Sequence, residues 1–159
     1  MRVLNIIDVN EETGLITICG TELGLGVCET DSRLKQNGYK TAVGREVLCS
    51  SMVYFSGNNL PFNVGNPEKV VVKFFHSGSR CVVYGAKISI TIPTKSNELY
   101  LWLFNALNDM VSDADQFFSD KDDDLVYVAL KWRDYSITAH IIDDTRYVIN
   151  VHRHPKLKA

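Results

Sequence analysis

The run Lys87-Ile88-Ser89-Ile90-Thr91-Ile92, closed by Pro93, constrains this chain more than any other segment. Isoleucines alternate with polar residues at the two-residue period of a β-strand, so the isoleucines face one way and Lys87, Ser89 and Thr91 the other. Pro93 has no N–H to offer a ladder and ends the strand. A single sheet packs only one face on a helix; apolar residues on its second face require another layer or a ligand.

From Ser96 to Phe118 the period becomes helical. Leu99, Leu103, Ala106, Met110, Ala114 and Phe117 recur every three or four residues, leaving Asn97, Glu98, Asn105 and Asp109 to water. Thr94 or Ser96 caps the start. Trp102, Phe104, Leu107 and Phe118 widen the apolar surface, so the helix lies in a broad sheet groove or has a partner on its far side. Three strands are then expected over 125–132, 135–142 and 146–152. Their pairing sets Ile137 opposite Val151 and Ile141 opposite Tyr147 on the inner face, with Ser136, Thr138 and His140 sharing the outer face with His152, Asn150 and Val148.

Upstream, Val3, Leu4, Ile6 and Ile7 flank a turn-rich stretch that ends at Gly14, and the pattern resumes at Leu15, Ile16 and Ile18, a first hairpin. Asp31 to Gln36 reads as a short helix stopped by Asn37-Gly38, and 46–55 as a strand. The strands at 70–75 and 80–84 flank His76-Ser77-Gly78-Ser79, the clearest local hairpin, and Gly85 admits a bulge. The fold class is α+β: an antiparallel sheet with one major helix, as a single compact domain over 1–154 and a flexible tail at 155–159.

With 159 residues, 45% of them hydrophobic and 23% charged, the chain has the composition of an ordinary globular domain, which excludes collagen-like, coiled-coil and purely disordered readings. Seventeen Lys and Arg against 19 Asp and Glu give a net charge of -2, so only a local patch can attract nucleic acid or anionic lipid. The start MRVLNIIDV lacks the features of a secretory signal, and no stretch approaches the roughly 18 apolar residues of a membrane span. The expected location is intracellular, in cytoplasm or nucleus, with no membrane association. Cys19, Cys28, Cys49 and Cys81 contain no CxxC pair and are expected to be buried free thiols.

Catalytic signatures are weak. Asp113, Asp115, Asp120, Asp122, Asp123 and Asp124 cluster, but without the glycine and the final glutamate of a calcium loop they read as a solvated, helix-stopping turn. His140, His152 and His154 are the best small constellation, with His152 and His154 on one side of the last strand. His76 beside Ser77 has neither a GxSxG context nor a third partner. No phosphate loop, dinucleotide fingerprint or HExxH motif occurs, so no cofactor and no metal is expected.

Lys69, Lys73, Arg80 and Lys87 are interleaved with Phe74, Phe75, Val82, Val83 and Tyr84, and an aromatic sheet with basic rims suits nucleic acid. The run Phe75-His76-Ser77-Gly78-Ser79-Arg80-Cys81-Val82-Val83-Tyr84-Gly85-Ala86-Lys87 resembles the phenylalanine, Ser-Gly turn, strand and Gly-Ala-Lys segment of a TATA-binding-protein repeat. The resemblance covers about residues 68–115 and implies a curved antiparallel sheet in the DNA minor groove, with helices on the opposite face. By resemblance Phe75 is a wedge, Val82 or Val83 a groove contact, and Lys87 a residue near the backbone. One additional residue stands between Ser77-Gly78 and Gly85, which reverses strand facing unless a bulge absorbs it. Tyr84 replaces a small polar residue, and a single copy of the repeat is visible.

The expected function is that of a non-enzymatic regulatory protein, transcription-associated, that binds duplex DNA through a sheet face with Lys73, Phe75, Arg80, Val82 and Lys87. The first alternative is a protein-interaction module or inhibitor that uses a sheet edge or the helix face, which also admits a homodimer. The second is a small histidine-dependent hydrolase working through His140 and His152.

Overall fold

The alternating isoleucine run lies in the middle of an eight-stranded antiparallel sheet. The computed structural model describes residues 2–3, 5–121 and 124–154. Four short strands, β1 (Arg2–Val3), β2 (Ile7–Asn10), β3 (Leu15–Ile18) and β4 (Thr21–Glu22), form a small sheet in chain order. Helix α1 (Val27–Gln36) follows, then β5 (Thr41–Val43), β6 (Cys49–Ser56), β7 (Lys69–His76) and β8 (Val83–Thr91). Helix α2 (Asn97–Met110) leads to β9 (Asp115–Lys121), β10 (Asp124–Trp132), β11 (Tyr135–Asp143) and β12 (Arg146–Arg153). The large sheet has the order β5-β6-β7-β8-β12-β11-β10-β9. Its first half is laid down outward-in, α2 carries the chain to the far edge, and the second half returns so that the last strand zips against β8.

Period-2 patterning sorts this sheet into two faces. Val70, Val72 and Phe74 of β7, Ile88 and Ile90 of β8, Ile137 of β11, and Ile149 and Val151 of β12 are fully buried. They share one core with Ile7, Val9, Ile16 and Ile18 of the small sheet, Leu34 of α1, and Leu99, Leu103, Leu107 and Met110 of α2. Each of those α2 side chains contributes about 1.5–3 kcal/mol by leaving water. The small sheet and both helices thus cover one face of the large sheet. Tyr135 joins the layers: it is completely buried, and its hydroxyl accepts a hydrogen bond from the Ile16 N–H at 3.2 Å.

The β11–β12 register is the expected one, with Ile137 opposite Val151, Ile141 opposite Tyr147 and Ser136 opposite His152. Ser96 caps α2, its hydroxyl accepting from the Leu99 N–H at 3.1 Å. The far side of α2 is partnered by the connection between β6 and β7, where Phe62 packs on Trp102 with ring centroids 5.3 Å apart.

Four expectations are corrected. Helix α2 ends at Met110, and Ala114 and Phe117 do not extend its stripe: Val111 leaves helical geometry (φ -137°, ψ 68°), and 115–121 pairs with β10 as an edge strand. Asp113 accordingly lies in the turn after α2, and Asp115, Asp120 and Asp124 lie on strands; Asp122 and Asp123 lie outside the described residues. Residues 80–82 are loop rather than strand, because the segment that enters α1 takes their hydrogen bonds. The Val27 N–H donates to the Cys81 carbonyl at 2.9 Å, and the Val83 N–H to that of Leu25 at 2.8 Å. Helix α1 begins at Val27 rather than Asp31. The thiols are free but only Cys19 and Cys49 are buried, while Cys28 and Cys81 are exposed. The tail at 155–159 lies outside the described residues.

Candidate functional site

The second face of the large sheet carries no layer built from the described residues. Along β7 it presents Lys69, Val71, Lys73 and Phe75, and along β8 Lys87, Ser89 and Thr91. Strand β12 adds Arg146, Val148 and Asn150, and β6 adds Met52 and Tyr54. Val71, Val148 and Met52 are buried and make an apolar floor, whereas Tyr54 is 54% exposed. Together with Arg45 and Glu46 from the β5–β6 connection, these side chains, apart from Phe75 and Asn150, line a recess of about 760 Å³.

Charge on this face departs from that of the chain. The recess is lined by Arg45, Lys69, Lys73, Lys87 and Arg146 against the single carboxylate of Glu46. Lys73 and Lys87 stand directly opposite one another on neighbouring strands, a pairing that is unfavourable between like charges. Glu46 relieves it by an ion pair with Lys73. The hydrogen bond from Lys73, and then the charges of Lys73 and Lys87, hold the Glu46 carboxyl below its ordinary range. Arg146 is paired with Asp143 at 2.8 Å. The Thr145 backbone N–H and hydroxyl, and then Arg146, push the Asp143 carboxyl down to about 2. Arg45, Lys69 and Lys87 have no ion-pair partner among the described residues.

Of the residues expected at the site, Lys73, Phe75 and Lys87 are brought together on this face. Phe75 stands opposite Gly85, so no side chain flanks its ring from β8. A β-bulge at Tyr84 takes up the additional residue of the β7–β8 hairpin: Phe75 pairs with Gly85 and His76 with Val83, which restores the facing of Lys87. Arg80 and Val82 lie off the face, in the 77–82 connection, where Arg80 is exposed and Val82 makes an isolated bridge to Gly26. Val83 is fully buried in the core and makes no surface contact. Arg146 is legible from the alternation of the last strand. Arg45 carries no such signal, because a connection and not a strand brings it to the face.

The histidines do not assemble a catalytic pair. His140 stands opposite Val148 and His152 opposite Ser136, four positions apart along β12. At about 3.3 Å per residue their backbones are separated by roughly 13 Å. Burial, and then the Lys87 charge, lowers the pKa of His140; burial, and then His154, lowers that of His152. His76 Nδ1 lies 3.2 Å from the backbone oxygen of Ser77 and not on its hydroxyl. Among the described residues no group of three His, Cys, Asp or Glu side chains is placed to hold a metal, and no helix is long and apolar enough to cross a membrane. Comparison of the chain with protein-family models, curated proteins and solved structures finds no match.

Proposed function

We propose that the open face of the large sheet binds nucleic acid, with duplex DNA as its partner, and that the protein is a non-enzymatic, transcription-associated regulator. The carrying observation is the charge of that face: five cations and one carboxylate line its recess in a chain whose net charge is -2. Lysines held beside each other without full neutralisation cost stability in the free protein and are relieved by phosphates. The face is wide enough for a duplex, since eight strands at about 4.8 Å spacing span roughly 34 Å. The resemblance of 75–87 to a TATA-binding-protein repeat favours the same arrangement, with Phe75 as the wedge and Lys73 and Lys87 as backbone contacts.

Duplex binding at low salt is the expected result. Phe75→Ala is expected to reduce DNA bending, read by energy transfer between end-labelled fluorophores, while leaving most of the affinity in place. Lys87→Glu is expected to weaken binding to all sequences alike. Failure of duplex DNA to bind at low salt removes the reading.

A second reading, a protein-interaction module, is favoured by β9. This strand is an edge of the sheet, and Phe117 and Phe118 on its opposite faces are each 63% exposed. Such an edge pairs readily with a strand from another chain. Self-association insensitive to salt and abolished by Phe118→Asp supports this reading; a monomer at all concentrations removes the homodimer.

A further inference from the structure

A second recess, of about 590 Å³, opens between the 77–82 connection and the end of β12. Its size falls within the roughly 300–1,000 Å³ of small-molecule sites. One wall is a row of rings: Tyr84 lies 5.4 Å from His152, and His152 stacks on His154 at 6.5 Å with 21° between the planes. The row lies over Gly85, where a Cβ would stand in ordinary contact with the His152 ring at 3.4 Å and closer, at 3.2 Å, to the Val151 carbonyl oxygen. Ser136 Oγ and His154 Nε2 share a hydrogen bond of 2.7 Å.

The opposite wall is polar and incompletely satisfied. Ser77 lines the recess, and its hydroxyl is buried without a partner among the described residues. Arg80 lines it with an exposed guanidinium that has no ion-pair partner among the described residues. The other arginine is committed: Arg153 pairs with Asp134 at 3.0 Å and donates to the Leu23 carbonyl at 2.7 Å. A row of rings together with one unpaired guanidinium and an unpaired hydroxyl suits a ligand with a planar ring at one end and an anion at the other.

We propose that this recess is a nucleotide site, in which the base stacks on the Tyr84, His152 and His154 row and the phosphate is held by Arg80 and Ser77. The proposal deepens the nucleic-acid reading of the sheet, and it is tested with ligands too small to span that face, so the two fail separately.

The test titrates the purified protein with adenosine 5′-monophosphate, adenosine and inorganic phosphate, following the ring C–H resonances of His152 and His154 by NMR. The monophosphate is expected to shift both signals upfield by ring stacking and to bind at least about tenfold tighter than adenosine or phosphate alone. Arg80→Ala, on an exposed connection, is expected to bring the monophosphate down to the affinity of adenosine. Tyr84→Leu and His152→Ala are each expected to weaken it by about fivefold or more, with the fold verified by circular dichroism. Lys87→Ala, on the sheet face, is expected to leave it unchanged. A 5′-phosphorylated oligonucleotide that binds tighter than the mononucleotide identifies a strand end as the natural ligand, and equal affinity identifies a free nucleotide. Unshifted His152 and His154 signals at about 5 mM monophosphate, phosphate binding as tightly as the nucleotide, or loss of binding in Lys87→Ala would each overturn the proposal.

Discussion

Two buried residues, Tyr135 and Cys19, show how single side chains set the behaviour of this fold. Tyr135 bonds the small sheet to the large one through the Ile16 N–H. Tyr135→Phe keeps the ring but orphans that buried donor, and is expected to cost about 1–2 kcal/mol in urea unfolding. Cys19 is 1% exposed, and burial pushes its thiol from 9.0 to about 12. Between those values the unfolded chain gives up a proton that the folded chain keeps, so stability is intact below about 9 and falls as the pH rises. The contribution of Cys19 is on the order of 1 kcal/mol per pH unit in that window, and Cys19→Ala is expected to flatten the alkaline limb of the stability curve. A thiol reagent at neutral pH is expected to modify Cys28 and Cys81 quickly, and all four cysteines only in denaturant.

Elements divide into those whose residues declare their partners and those that a distant segment decides. The β11–β12 register was legible because period-2 alternation of Ile137, Ile141, Tyr147 and Val151 admits one pairing with a buried face. The cap of α2 was open between Thr94 and Ser96 and falls on Ser96, whose hydroxyl accepts from the Leu99 N–H; Ser96→Ala is expected to lower stability by about 1 kcal/mol in thermal or urea unfolding. Phe117 and Phe118 were ambiguous: their spacing from Met110 continues a helical stripe, yet both residues suit a strand. Pairing of Phe118 with Val128 of β10 decides for the strand. The 80–82 segment was misread because its partners, Leu25 and Val27, sit in a glycine-rich stretch with no periodicity of its own. Strand β4 and the start of α1 escaped the sequence for the same reason.

At the scale of the whole molecule, one side of the large sheet holds the fold together and the other carries no layer built from the described residues. Helices and a small sheet bury the first side, and a minority of basic residues is gathered on the second. Much of that site was legible from Lys73, Phe75 and Lys87, since alternation puts them on the wet face once the Tyr84 bulge absorbs the odd residue. Arg80 and Val82 belong to a separate recess, and Arg45 arrives through the β5–β6 connection, which no local pattern specifies.

The measurement that tests the central claim most directly is the slope of log affinity against log salt for duplex DNA, in the wild-type protein and in Lys73→Ala/Lys87→Ala. The open-face account predicts salt-dependent binding whose slope becomes shallower by about 2 in the double variant, one counterion for each lysine removed. Duplex binding that is absent at about 50 mM salt, or whose slope is the same in both proteins, contradicts it.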